Sequence, residues 1–144
     1  MAYCIQADLA SQISDADLLL LADDDGDNAV DAAVLVKVFA DVADKIDGYL
    51  AGRYSLPLNP VPEVLRPLAV DMAVCQLYAR RPNGVPPHRQ AQYDAAIRYL
   101  EKVAEGRITL GPDDPAGNPP AQNQLELDPD NPPRIFDRAK LKGF

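Results

Sequence analysis

The chain has 144 residues, 47% of them apolar and 25% charged, which is enough for one compact core and too few for two. Its net charge is −8, and a surface of this sign repels phosphate, which argues against a protein that grips nucleic acid directly. The chain has no long uninterrupted apolar run and no basic stretch ahead of a hydrophobic segment. We therefore expect neither a membrane-spanning helix nor a secretory signal.

Two short helices are predicted at the N-terminus, over residues 6–13 and 14–21. Ser14 opens the second helix and Asp17 follows three residues later, a spacing that is typical of a helix N-cap. We therefore expect a helix boundary at Ser14.

The stretch LADDDGDNAVDAAVL places five aspartates around one glycine, directly ahead of a long apolar-periodic segment. Against the template of a calcium-binding loop, Asp23, Asp25 and Asp27 take positions 1, 3 and 5, and Asp31 takes position 9. Position 12 requires a bidentate Glu and is Val34 in this chain. We favour a turn in which Asp31 caps the next helix. A weak calcium site at Asp23, Asp25, Asp27 and Asp31 is the alternative.

Three longer helices follow the aspartates. Apolar residues recur every four positions over 31–53, which predicts an amphipathic helix. Another helix is predicted over 62–81 with Pro67 in its first turn or two, and a third over 87–105 with a glycine stop. The sequence thus predicts an all-α fold, a small bundle of about five helices that forms a domain over residues 1–110.

The segment IDGYLAGRYSLPL contains two helix-breaking glycines. Gly48 and Gly52 each cost a helix roughly 1 kcal/mol relative to alanine, which indicates close approach by another element. Arg53 and Tyr54 then enter a proline-rich turn. Two interpretations stay open: a subunit interface formed by these four residues, or tight internal packing at a helix end.

The composition changes after Leu110. Residues 111–133 hold seven of the fourteen prolines and almost no large apolar residue, which predicts a Pro-rich, extended C-terminal arm without a core of its own. The closing segment RIFDRAKLKGF, residues 134–144, regains apolar and basic side chains and is typical of a docking peptide. The alternative is that it folds back onto its own domain. The candidate docking residues are Arg134, Ile135, Phe136, Arg138, Leu141 and Phe144.

The sequence contains few candidate catalytic residues. The single histidine, His88, begins a predicted helix, where an exposed polar residue is ordinary. Cys4 and Cys75 are isolated, so we interpret them as reduced packing residues. Paired carboxylates such as Asp41 and Asp44 fit the solvated face of an amphipathic helix. We predict a protein that is not an enzyme and that needs no cofactor, with calcium as the one ion to test.

Taken together, the order and spacing of several segments resemble a known family. The segments are MAYCIQADL, LADDDGDNAVDAAVL, IDGYLAGRYSLPL, VLRPLAVDMAVCQLYARR, YDAAIRYLEKVAEGRITLG and RIFDRAKLKGF. The chain resembles the Mu-like phage and prophage family of small head-tail connector (adaptor) proteins, over nearly its whole length apart from the proline-rich arm.

This resemblance implies a structural protein of the virion neck, present in the host cytoplasm during assembly. Similar adaptors form a homo-oligomeric ring, commonly of twelve subunits, between the portal protein and the head-closure or tail proteins. Such a ring lines the DNA exit channel, and DNA passes through it without specific binding. By analogy with other adaptors, we expect the closing segment to dock on the portal or on an adjacent subunit. The alternatives are a head-closure (stopper) protein and a calcium-binding interaction module.

Overall fold

The computed structural model describes residues 2–111, and over this range the chain forms five α-helices without a β-strand. The all-α prediction is therefore confirmed. None of the helices in this range combines the length and the apolar character that crossing a membrane requires. The helices are α1 (Gln6–Leu9), α2 (Asp15–Ala22), α3 (Ala32–Leu50), α4 (Leu65–Ala79) and α5 (Pro87–Ala104).

The first helix ends four residues earlier than predicted. The Ser11 hydroxyl donates to the Asp8 carbonyl at 2.7 Å, and the Gln12 N–H donates to Leu9 at 2.9 Å, three residues back. A serine that satisfies a helix carbonyl in this way competes with continuation of the helix. The boundary at Ser14 is confirmed, because the Ser14 hydroxyl accepts a hydrogen bond from the Asp17 N–H and caps α2.

The third helix carries the apolar stripe that its sequence predicts. Val38, Val42, Ile46 and Leu50 are buried, whereas Val34 at the start of the stripe is only partly buried. The helix ends at Leu50, three residues before the predicted end. The Arg53 N–H donates to the Leu50 carbonyl three residues back at 2.9 Å, and bonds of this shorter span tighten the last turn of a helix.

The fourth helix begins at Leu65 rather than at residue 62 or 63. Pro67 explains the difference, since proline has no N–H and is tolerated only in the first turn, where no intrahelical acceptor is needed. A helix that began at Glu63 would leave the Glu63 carbonyl without its partner four residues on. Pro87 starts α5, and Gly106 beyond its end has a φ of 78°, as expected for a glycine stop.

The core is centred on α4, which packs against the four other helices. More than half of the α4 residues are buried, including Leu65, Met72 and Leu77 with no exposed surface. Full burial of one such side chain contributes roughly 1.5–3 kcal/mol. Cys4 and Cys75 are buried free thiols, which confirms that they are packing residues.

Polar contacts tie the ends of the helices together. Arg89 near the start of α5 donates to both the backbone carbonyl and the side-chain oxygen of Gln12, at 2.6 and 2.7 Å. At the other end of α5, Arg53 donates to the Val103 carbonyl at 3.0 Å. These contacts join the α1–α2 connection and the segment after α3 to the two ends of α5.

Candidate functional site

The aspartate loop joins α2 to α3 and gathers three of its carboxylates. Carboxylate oxygens of Asp23, Asp25 and Asp27 all lie within 4.8 Å of one another. Two residues of the loop, Gly26 and Asn28, have positive φ values of 79° and 61°, which bend the chain so that alternate side chains point to a common centre. Asp23, Asp25 and Asp27 are three of the four residues of the alternative calcium site, and they do lie together, whereas ion binding by this loop stays a prediction.

Backbone N–H groups hold these carboxylates in place. Asp23 accepts from the N–H of Gly26 at 2.6 Å and from that of Asn28 at 3.1 Å. Asp25 and Asp27 each accept from the N–H two residues further along, at 3.2 and 2.8 Å. Short aspartate side chains stabilise turns through such bonds. The loop therefore has a structural explanation that requires no ion.

Asp31 does not join the three carboxylates, and its predicted role needs correction. It occupies the N-cap position of α3, but its carboxylate makes no bond to the first turn of that helix. Its Oδ2 accepts from the Asp24 N–H at 2.8 Å, and its own N–H donates to the Ala22 carbonyl at 2.9 Å. Asp31 thus closes the base of the loop, because its side chain is better placed to satisfy Asp24 than the helix.

Two arginines at the end of α4 fasten the loop to the bundle. Arg80 and Arg81 both form ion pairs with Asp24, at 2.5 and 3.4 Å. Arg81 also donates to the Asp23 carbonyl at 2.8 Å, and Arg80 to the Leu21 carbonyl at 3.3 Å. Sequence reasoning missed these contacts, since it treated the Arg-Arg pair only as a helix end. A sequence signal was present, because Arg80 and Arg81 are the only two adjacent Lys or Arg residues in a chain of net charge −8.

The electrostatics of the loop reflect crowded negative charge. The Asp27 backbone N–H lowers the pKa of the Asp25 carboxyl, but repulsion from Asp27 and Asp31 together with desolvation outweighs this and raises that pKa above its ordinary value. A calcium loop needs a bidentate carboxylate from its twelfth position. The residue there is Val34, partly buried against the core. The loop thus offers three carboxylates where a complete site uses more.

The sequence left two interpretations of the end of α3 that contains Gly48 and Gly52, and neither agrees fully with the structure. A Cβ added at Gly48 or Gly52 would meet no heavy atom within 4 Å among the described residues, so the predicted close approach of another element is wrong within this range. Arg53 and Tyr54 do pack internally, and the Tyr54 hydroxyl accepts from the Leu110 N–H at 3.2 Å. The two glycines leave an open surface, for which a subunit interface stays a prediction.

The remaining candidate residues belong to the closing segment. The docking residues Arg134, Ile135, Phe136, Arg138, Leu141 and Phe144 lie outside the described residues, as do the arm beyond residue 111 and the boundary at 133. Within the described residues, no polar or charged residue is fully buried.

The two thiols are poorly suited to nucleophilic chemistry. Burial, together with the nearby Asp8 carboxylate, raises the pKa of Cys4 to about 11, and burial likewise raises the pKa of Cys75. His88, the one histidine, is exposed at the start of α5. The raised pKa values disfavour the reactive thiolate form of both cysteines.

Comparison with known proteins gives the same family as the sequence resemblance. A family model described as Bacteriophage Mu, Gp36 matches residues 3–128. The match includes most of the proline-rich arm and ends before residues 134–144, whereas the resemblance described above omitted the arm and included the closing segment.

Two curated proteins are similar over most of their length. The chain is 33% identical over 118 residues to the Mu-like prophage FluMu protein gp36 of Haemophilus influenzae, an alignment that covers 81% of this chain and 79% of that protein. It is 34% identical over 119 residues to Gene product J of Escherichia phage Mu, covering 82% and 80%. The chain therefore belongs to the Mu-like phage protein family described as Bacteriophage Mu, Gp36.

Proposed function

We propose that this protein is a head-tail connector (adaptor) of a Mu-like virion. In this role it forms a homo-oligomeric ring between the portal protein and the head-closure or tail proteins, and DNA leaves the head through the ring. The observation that carries the proposal is the match to a Mu phage family over residues 3–128, which favours a structural or assembly role.

The charge of the chain suits a channel that DNA must traverse. A wall that binds phosphate would retain the DNA, whereas a wall of the same sign repels it. The protein has 22 acidic residues against 14 basic ones, and eleven of the acids precede residue 48. Many of these acids are exposed on α2, on α3 and in the aspartate loop between them.

The helical body also favours the adaptor over the head-closure alternative. Stopper proteins tend toward small β-barrels, whereas residues 2–111 form five helices and no strand. The calcium-binding module has less support, because the loop has Val34 at its twelfth position and is held by backbone N–H groups and by Arg80 and Arg81.

We assign the attachment function to the closing segment, residues 134–144. A peptide that is ordered only on a partner can cover a large surface and remain inactive before assembly. Ile135, Phe136, Leu141 and Phe144 supply apolar anchors, and Arg134 and Arg138 can pair with acids on the portal or on an adjacent subunit.

The proposal is tested by complementation: the phage lacks the gene for this protein, and a plasmid in the host supplies the protein without residues 134–144. The truncated chain keeps the whole described core, so its circular dichroism spectrum and melting temperature should match those of the full chain. Tailed particles counted by electron microscopy should fall strongly, and tail-free heads should accumulate.

A length-matched variant separates the anchors from the length of the chain. It replaces Ile135, Phe136, Leu141 and Phe144 with serine and keeps every charge of the segment. We expect the same loss of tailed particles, because the apolar contacts carry most of the binding energy. Normal numbers of tailed particles with the deletion variant would refute the attachment function, and a virion without this protein at its neck would refute the adaptor itself.

A further inference from the structure

A groove of about 550 Å³ lies between α3 and α4, next to the aspartate loop. It is open to solvent and its exposed lining is mostly apolar, a combination suited to an inserted side chain. The apolar part of the lining consists of Ala33, Val34, Val38 and Ala79.

The charged residues that line the groove are already paired. Asp24 pairs with Arg80 at 2.5 Å, and Asp41 pairs with Lys37 one turn earlier at 3.3 Å. Both pairs are at least partly exposed, so solvent screens them and a competing charge can exchange with either partner at little cost. The lining alone is therefore close to neutral.

The aspartate loop at the edge of the groove adds an excess of negative charge. Asp24 belongs both to this loop and to the lining, so the loop borders the groove directly. Within residues 2–111, no lysine or arginine forms an ion pair with Asp23, Asp25 or Asp27. An apolar peptide with basic side chains would satisfy both the groove and its edge.

The closing segment of the chain has this composition. Residues 134–144 hold four of the 14 basic residues of the protein and a single acid, together with four large apolar residues. Phe136 lies between Arg134 and Arg138, so an inserted aromatic ring would carry a basic residue on each side.

We propose that residues 134–144 of a second copy of this chain bind in the groove between α3 and α4, with Phe136 in the apolar part and the basic residues toward the aspartate loop. The assignment rests on the proposed ring, whose subunits it would join. The donated segment and the receiving groove are different parts of one subunit, so the contact is heterologous, the type that forms a ring when the rotation between neighbouring subunits closes.

The position of the groove is compatible with donation of the segment to a second copy of the chain. The described chain leaves the bundle near Leu110, whose N–H donates to Tyr54 beyond the C-terminal end of α3. The groove residues Val34 and Val38 lie in the first turns of the same helix, whose 19 residues span roughly 28 Å. The exit and the groove thus lie toward opposite ends of α3, an arrangement that suits head-to-tail donation.

The length of chain beyond the described residues permits this donation. Residues 112–133 number 22 and can extend at most about 70 Å, at roughly 3.3 Å each. This exceeds the length of the bundle along α3, so the segment can reach a neighbour without unfolding its own domain.

A second groove, of about 480 Å³, is a poorer receptor for this segment. Its lining contains Leu20, which is 72% exposed, Tyr78 and Val85. The one charged residue in that lining is Arg81, which already pairs with Asp24, so this groove offers a basic peptide no carboxylate.

The test uses the full chain with the photoreactive amino acid p-benzoylphenylalanine in place of Phe136. Equal amounts of ¹⁴N- and ¹⁵N-labelled protein are mixed and added to isolated heads that lack this protein, and the assembled particles are irradiated. Mass spectrometry then identifies the cross-linked peptides. We expect position 136 to be joined to peptides from residues 33–41 or 76–80, in pairs that combine one light and one heavy chain.

Each other result has a defined meaning. Cross-links to the groove found only within chains of one isotope place the segment on its parent and overturn the proposal. Cross-links to the portal or to another surface also overturn it, although the adaptor function survives if the heads still acquire tails. Failure of the full chain with the native Phe136 to join the isolated heads refutes the adaptor function as well.

A charge variant tests the electrostatic part of the proposal. Asp41→Lys reverses one charge of the lining, and its exposed pair with Lys37 contributes little to folding. We expect the yield of cross-links to the groove to fall several-fold. The control is Glu101→Lys, the same charge change at an exposed position of α5 outside the groove, which should leave the yield unchanged. An unchanged yield with Asp41→Lys overturns the proposal.

Discussion

At the scale of single residues, glycines show how far a sequence constrains its own structure. The penalty for glycine in a helix predicted a packing reason for Gly48 and Gly52, yet neither is contacted by another part of the described chain. Gly26, by contrast, has a φ of 79°, a backbone conformation that glycine adopts without steric cost. A sequence shows that a glycine is present, whereas only the three-dimensional surroundings show whether its missing side chain is used.

This difference predicts opposite effects for two substitutions. Gly48→Ala adds a methyl group in open space within α3, so it should stabilise the free chain by about 0.5–1 kcal/mol. Gly26→Ala, the matched change at a positive φ, should lower the melting temperature. Thermal unfolding followed by circular dichroism measures both. An unstable Gly48→Ala chain would contradict the open surface, and a stable one that fails to join heads would favour the subunit interface.

At the scale of elements, periodicity predicted all five helices, but local hydrogen bonds and a proline decided where several of them begin or end. The apolar stripe of α3 could be predicted because a helix that buries one face in the core has apolar residues at helical spacing. The end of α1 depends on Ser11 and the start of α4 depends on Pro67, and both causes are local. The attachment of Arg80 and Arg81 to the aspartate loop joins residues more than fifty positions apart, which no local pattern encodes.

The same contacts predict how the aspartate loop responds to calcium. Its carboxylates are held by backbone N–H groups, Asp24 is paired with arginines, and Val34 replaces the bidentate ligand. We therefore expect the melting temperature of the full chain to be the same in millimolar calcium, in magnesium and in chelator. A rise specific to calcium, abolished by Asp25→Asn, would instead support the weak calcium site at Asp23, Asp25 and Asp27, because a bound ion stabilises the folded state.

At the scale of the whole molecule, charge is the property that links the sequence to the proposed role. Folding leaves the acids of α2, α3 and the loop exposed and concentrates the apolar residues around α4. Net charge was readable from composition alone, but composition does not show which residues line the α3–α4 groove. The groove required the packed helices, and the closing segment that we assign to it was visible in the sequence.

The charge of the whole molecule predicts weak affinity for DNA. Because the full chain carries −8, it should not retard linear double-stranded DNA in a gel-shift assay even at low salt, where electrostatic attraction is strongest. Deletion of residues 134–144 removes four basic residues and one acid and brings the net charge to −11, so this variant is the control for binding through the basic segment. Binding of phosphate by the segment would require three results together: the full chain retards DNA, the truncated chain does not, and the retardation weakens as salt is added. That result would contradict a channel that DNA crosses without being held.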